Sequence, residues 1–378
     1  MRPLRLAAVI ALALAAATAL PSAASPGSPG KGHAYAYGHD KPKGPKDIPA
    51  ASGCKGDPST YQLLNYPSGG QTAQALYVLP KGKPKGIVVF DHGYSHTMYS
   101  WVRHMERTAA TLGVIAVTPD YRGQADDFRT QPLPTSRGWR VAEGAVDTNA
   151  VAQLFDKACL HGKGHNVLYS VSMGGNTAGL ALAAKPKRAG GAPMFDEWVD
   201  VEGAANVLET YQGARALAGV NTFAANAQAD IEAEMGGTPE QVPNVYADRT
   251  IVNRVDDIAA SGIKGVVMAH GVVDGLVTHD ISRQLQIRLR ALQIPVDMRA
   301  FVTHSKTSEA GTTLDGYVPS GQASPFAGHA SETSETQDVG LAGFTALAQL
   351  YGGNHVMCRD TLTDGATNLS YGFADGCS

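Results

Sequence analysis

The stretch Val167-Leu168-Tyr169-Ser170-Val171-Ser172-Met173-Gly174-Gly175 decides the fold. Its opening residues are apolar and read as a short buried strand, while the segment from Gly174 to Ala184 is a helix of small residues. A strand that turns into a helix within two residues strains the residue between them. It also brings together the backbones two positions before and after that residue, so only small side chains fit there. Ser170 and Gly174 meet that need. The turn then holds the Ser172 hydroxyl out at the end of the strand, the context of a nucleophile elbow.

Outward from this turn the chain alternates strand and helix. Gly86 to Asp91 and Val114 to Thr118 are apolar on both faces and read as buried strands, as do Trp198 to Val201, Val266 to Ala269 and Val296 to Val302. Helices are expected from Trp101 to Leu112, Ala142 to Ala158, His279 to Leu292 and Val339 to Tyr351. Such alternation predicts an α/β fold, a mostly parallel central sheet with helices on both faces joined by right-handed crossovers. Before it, Tyr61 to Asn65 and Ala73 to Leu79 read as a hairpin around Pro67-Ser68-Gly69-Gly70. One stretch breaks the rhythm: Ala204 to Asp248 is rich in Ala, Gln and Glu and has no good strand. It reads as a small helical insertion, placed either as a cap over the active edge of the sheet or on the periphery.

With 378 residues, 43% of them apolar and 17% charged, the chain has the material for a full core. Arg2 and Arg5 precede an apolar run from Leu6 to Leu20, and Ser22-Ala23-Ala24 offers a small-residue cleavage site. Residues 1–24 therefore read as a signal peptide, since the run is shorter than the ~18 residues needed to span a bilayer. A secreted protein with no membrane segment in its mature form is expected. Residues 25–53, rich in Pro, Gly and Lys, read as a flexible leader, and residues 54–378 as one catalytic domain. A formal charge of −3, which loss of the two leader arginines makes more negative, argues against nucleic acid as partner. Cys54, Cys159, Cys358 and Cys377 allow two disulfides in an exported chain. Of three connectivities, the one containing Cys358–Cys377 is preferred, because that bond would clip the polar C-terminal tail.

From about residue 60 to 352 the chain resembles the α/β-hydrolase superfamily, with Ser170 where the elbow pattern has glycine. The segment Ala247-Asp248-Arg249-Thr250-Ile251-Val252-Asn253-Arg254-Val255-Asp256-Asp257-Ile258 and the strand after it resemble prolyl-oligopeptidase-like hydrolases and related esterases. No propeller domain is expected upstream, so the gating and amino-terminus recognition of those peptidases are not carried over.

A serine hydroxyl needs a base to take its proton, and the base needs an acid to fix its tautomer. The superfamily order is Ser, acid, His. After the strand at Gly265 to Ala269, the segment His270-Gly271-Val272-Val273-Asp274-Gly275 resembles the acid-bearing loop, with Asp274 at the matching position and Asp280 in reserve. His329, in Gly328-His329-Ala330, resembles the family's base, while His304 ends the last strand and is the alternative. Choosing His329 leaves Ser305 to Gly328 as a long loop at the pocket's rim. The oxyanion donors are expected to be the backbone N–H groups of Met173, after the nucleophile, and Tyr94, in the His92-Gly93-Tyr94 turn. His92 and His96 as a metal pair are disfavoured, and no metal or cofactor is implied. Asp120 and Arg122 read as structural, and Trp139 and Arg140 as packing and surface residues.

The resulting expectation is a serine hydrolase that cleaves a small-molecule or polymeric carboxylic ester through an acyl-enzyme. A peptidase sharing the same triad and a catalytically silent binding protein are the alternatives. Oligomeric state is not legible.

Overall fold

The computed structural model describes residues 53–124, 137–272, 274–302, 329, 338–364 and 369–373. The leader, His304, the stretch 305–328 and Cys377 lie outside the described residues. The first pair of strands, β1 (Tyr61–Ser68) and β2 (Gln71–Val78), is antiparallel. Pro67 and Ser68 belong to β1, and the turn is Gly69-Gly70 alone, with φ of 52° and 77°. Two consecutive left-handed residues define the hairpin turn whose twist matches its strands, which is why glycine fills both positions.

Six strands then run parallel: β3 (Gly86–Asp91), β4 (Ile115–Asp120), β5 (His165–Val171), β6 (Glu197–Val201), β7 (Gly265–Gly271) and β8 (Val296–Phe301). Two more, β9 (Arg359–Asp364) and β10 (Leu369–Phe373), complete a sheet ordered β1-β2-β4-β3-β5-β6-β7-β8-β9-β10. The polar tail is thus partly sheet: β9 pairs parallel with β8 and antiparallel with β10. Side-chain charges hold β9 where apolar packing does not. Asp360 accepts hydrogen bonds from Arg290 at 2.8 Å and Arg283 at 3.2 Å, and Arg359 bonds Asp297 at 2.7 Å.

Alternate residues of each central strand enter different cores, as a two-sided parallel sheet requires. Ile87 and Val89 join the core under α2 (Val141–Phe155), α3 (Met173–Ala183) and α8 (His279–Ala291). Val88 and Phe90 join the other core, with α1 (Val102–Leu112) and α9 (Asp338–Tyr351). All four are fully buried, and burial of each such side chain contributes roughly 1.5–3 kcal/mol. The segment 204–248 forms α4 (Val207–Leu217), α5 (Thr222–Met235) and α6 (Pro243–Arg249). Asn206 and Asn221 cap the first two by accepting the amides of Glu209 and Ala224. A short α7 (Val255–Ala260) leads into β7.

A disulfide joins Cys54 to Cys159, and Cys358 is also disulfide-bonded. Its preferred partner, Cys377, is outside the described residues. Among the described residues, no helix is long and apolar enough to cross a membrane.

Candidate active site

The turn between β5 and α3 carries Ser172 at φ 56° and ψ −123°, a conformation that L-residues avoid. Holding it costs of order 1–3 kcal/mol. Three backbone hydrogen bonds of 2.9 Å offset that strain: the Ser172 amide donates to Val201, and its carbonyl accepts from Gly175 and Ala204. Gly174 is required by close approach. A Cβ there would lie 2.2 Å from the Asp91 carbonyl oxygen and 2.9 Å from that of His92, and neither backbone atom can swing aside. Gly174→Ala is expected to cost about 3 kcal/mol or more, read as a loss of stability in denaturant titration. A variant as stable as the parent would show that the turn relaxes freely.

Ser170 departs from glycine for a local reason. Its fully buried hydroxyl donates to Asp200 at 2.9 Å and accepts from the Trp198 indole at 2.8 Å. Burial raises the Asp200 carboxyl to about 7, and a bond from Ser170 stabilises its charged form.

Asp274 and His329 come together across 55 positions of sequence. The Nδ1 of His329 lies 2.7 Å from Asp274 Oδ2, while Asp274 Oδ1 accepts the amides of Leu276 and Val277 at 2.8 and 2.9 Å. Burial works to raise this carboxyl, yet the facing His329 and His270 outweigh it and hold Asp274 well below the usual carboxylate range. His270 is fully buried behind Asp274, bonded to Ser282 Oγ and the Val277 carbonyl, each at 2.8 Å. The nitrogen of His329 that faces the acid is thus Nδ1. Ser172 and His329 line one cavity of about 150 Å³. The reserve acid Asp280 is exposed in the first turn of α8 and stands apart from this cluster.

The turn after β3 contributes Gly93, Tyr94 and Ser95 to the same cavity. Met173 opens α3, so its amide is one of the helix's first four and has no acceptor within the helix. Both expected donor residues therefore stand at the Ser172 end of the sheet. His92 is buried and stacked on Tyr121 with ring centroids 4.0 Å apart, and its Nδ1 faces the Gly93 carbonyl at 3.0 Å. His96 instead lines the cavity, and burial together with nearby His329 pushes it down to about 4, which keeps the ring neutral at pH 7.

Several site residues escaped the sequence reading. Trp139, read as packing alone, also lines the cavity and packs against Tyr94 with centroids 5.9 Å apart. Helices α4 and α5 wall the other side through Ala214, Leu217, Phe223 and Ala227. The Tyr94 hydroxyl donates to Asp230 of α5, and Glu234 of the same helix accepts the Ala142 amide at 3.1 Å. Glu202, the residue after β6, is buried with Oε2 3.5 Å from His329 Nδ1. Its sequence signal was an acid directly after a buried strand, the kind of place that Ser172 occupies after β5. Donor atoms of Glu202, Asp274 and His329 all lie within 4.8 Å, a spacing a cation could span, although the Nδ1–Oδ2 pair is engaged in a direct hydrogen bond.

No family model matches the chain, and no curated protein does. Solved structures do match. An acylaminoacyl peptidase in complex with Z-Gly-Gly-Phe-chloromethyl ketone aligns with TM-score 0.51 and 15% identity, over 79% of this chain and 42% of that one. The shared fold is that of the α/β-hydrolases. Acylaminoacyl peptidase from Pyrococcus horikoshii aligns at 0.46 and 14% over 64% of this chain and 36% of its own. Dipeptidyl peptidase 4 from Porphyromonas gingivalis gives 0.45 and 16% over 64% and 31%. The chain spans less than half the length of each, and at such identities the likeness concerns the fold alone.

Proposed function

We propose that the protein is a serine hydrolase that cleaves carboxylic esters of short acyl groups. The observation that carries this reading is the strained Ser172, which faces the same cavity as the His329–Asp274 pair. In the first step Ser172 Oγ attacks the ester carbonyl carbon, and its proton passes to His329 Nε2. Asp274 holds the imidazole and stabilises its cationic form, while the Tyr94 and Met173 amides meet the negative oxygen of the tetrahedral intermediate. Collapse expels the alcohol, which leaves with the proton from His329. Water then attacks the acyl-enzyme carbonyl and gives a proton to the same nitrogen. Collapse breaks the bond from Ser172 Oγ to the acyl carbon, the proton passes from His329 to Oγ, and the acid leaves.

Two features support an ester with a neutral, compact acyl group. The described lining of the cavity is apolar or uncharged-polar, with no Lys, Arg, Asp or Glu among the described residues, which suits an uncharged acyl group. A volume of about 150 Å³ is that of a cavity able to take one benzene-sized group. Across p-nitrophenyl esters, kcat/KM is therefore expected to peak between acetyl and hexanoyl and to fall at least tenfold by dodecanoyl. A flat or rising series would overturn the size argument.

The names of the fold's neighbours support a second reading, cleavage of aminoacyl amides by the same triad. Amide leaving groups demand more of the general acid, so parallel assays of short esters and aminoacyl anilides separate the two. Export through the 1–24 segment belongs to the same proposal, supported by the Arg2/Arg5 flank, the apolar run and the disulfide.

A further inference from the structure

We propose that Glu202 is a second, positioning carboxylate for His329, so that the imidazole is held by two acids on neighbouring strands. The inference rests on the serine-hydrolase reading. Asp274 follows β7 and Glu202 follows β6, two adjacent parallel strands whose carboxyl ends face the cavity. Glu202 uses its two oxygens differently. Oε1 accepts the Gly271 amide at the end of β7 at 3.2 Å, and Oε2 points to His329 Nδ1 at 3.5 Å.

Its backbone supplies an independent observation. Glu202 sits at φ 53°, in the left-handed region, although Gly203 is next to it and glycine takes that conformation without strain. The strained residue is the one whose carboxylate reaches the imidazole, and its amide is fixed by a 2.9 Å bond to Ala269. A fully buried carboxylate in a strained turn, aimed at a catalytic base, is costly to keep as packing alone.

Two carboxylates around one Nδ1–H have two consequences. They favour the imidazolium more than one does, and they let the ring keep its orientation when either acid is removed. The titratable groups facing His329 among the described residues are Asp274, Glu202 and His96, with His270 behind Asp274.

The test uses the full-length enzyme, an ester substrate and a fluorophosphonate probe. Glu202→Gln keeps the shape and the acceptor for Gly271 but removes the charge. The acid limb of kcat/KM is expected to move to lower pH by about one unit, because loss of a carboxylate lowers the basicity of His329. Asp274→Asn alone is expected to keep 1% or more of turnover, where loss of a sole triad acid costs about 10⁴-fold. Adding Glu202→Gln to it should remove at least a further hundredfold. Glu202→Asp, which retains charge but is too short to reach Nδ1, is expected to follow Glu202→Gln in the Asp274→Asn background and serves if the Gln variant folds poorly. An unmoved acid limb, or Asp274→Asn as inactive as the double variant, overturns the role of Glu202 while wild-type labelling of Ser172 leaves the hydrolase reading standing. A wild type that neither labels nor turns over overturns both.

Discussion

Ser172→Ala is expected to lower turnover on a short p-nitrophenyl ester by about a million-fold while leaving the fold intact. That factor corresponds to about 8 kcal/mol of transition-state stabilisation, far more than any single hydrogen bond in the site supplies. It is large because the acyl-enzyme route disappears altogether when the attacking oxygen is removed. Alanine adds no atom, and the three backbone bonds that hold the turn do not involve the hydroxyl. Thermal melting should therefore match the parent, while covalent labelling by a fluorophosphonate should vanish. Unchanged ester turnover in this variant would assign the nucleophile elsewhere.

The second large effect concerns folding. Cys54 and Cys159 are 105 positions apart, and their bond ties the chain before β1 to the helical turn Asp156–Leu160 that follows α2. In the chain-entropy account, closing a loop of about 100 residues removes unfolded-state freedom equivalent to about 4.7 kcal/mol. Loss of the bond in Cys54→Ser/Cys159→Ser is thus expected to cost 4 kcal/mol or so, a large share of the 5–15 kcal/mol typical of a domain. Guanidinium titration of the double variant measures it directly. A cost below about 1 kcal/mol would mean that the unfolded chain is already compact across this loop.

The parts of this molecule legible in its sequence are those governed by local sterics or by two-sided burial. Gly86 to Asp91 was read to its true ends because every residue of β3 is buried, so the apolar run coincides with the strand. The elbow was legible because the demand for small neighbours around Ser172 is a matter of a few residues. Strand β9 was not, since Arg359 and Asp360 depend on charges at Arg283, Arg290 and Asp297, more than sixty positions away. Trp139 was rightly read as packing, but its place at the cavity was not legible for a related reason: nothing beside it in sequence reveals that α5 folds back to complete a cavity wall. Glu202 belongs with these. Its meaning depends on β6 lying next to β7, and no pattern of spacing along the chain carries that adjacency. The pairing of Asp274 with His329 was reached through family order rather than through any periodicity.

Tyr94 works at both ends. Its main chain belongs to the turn that lines the same cavity as Ser172, and its phenol is fastened to α5 through Asp230. An acyl group bulky enough to lever that helix outward would therefore tug the turn out of alignment as well. Oversized substrates would then still dock, and their exclusion would register as slow chemistry rather than as weak affinity.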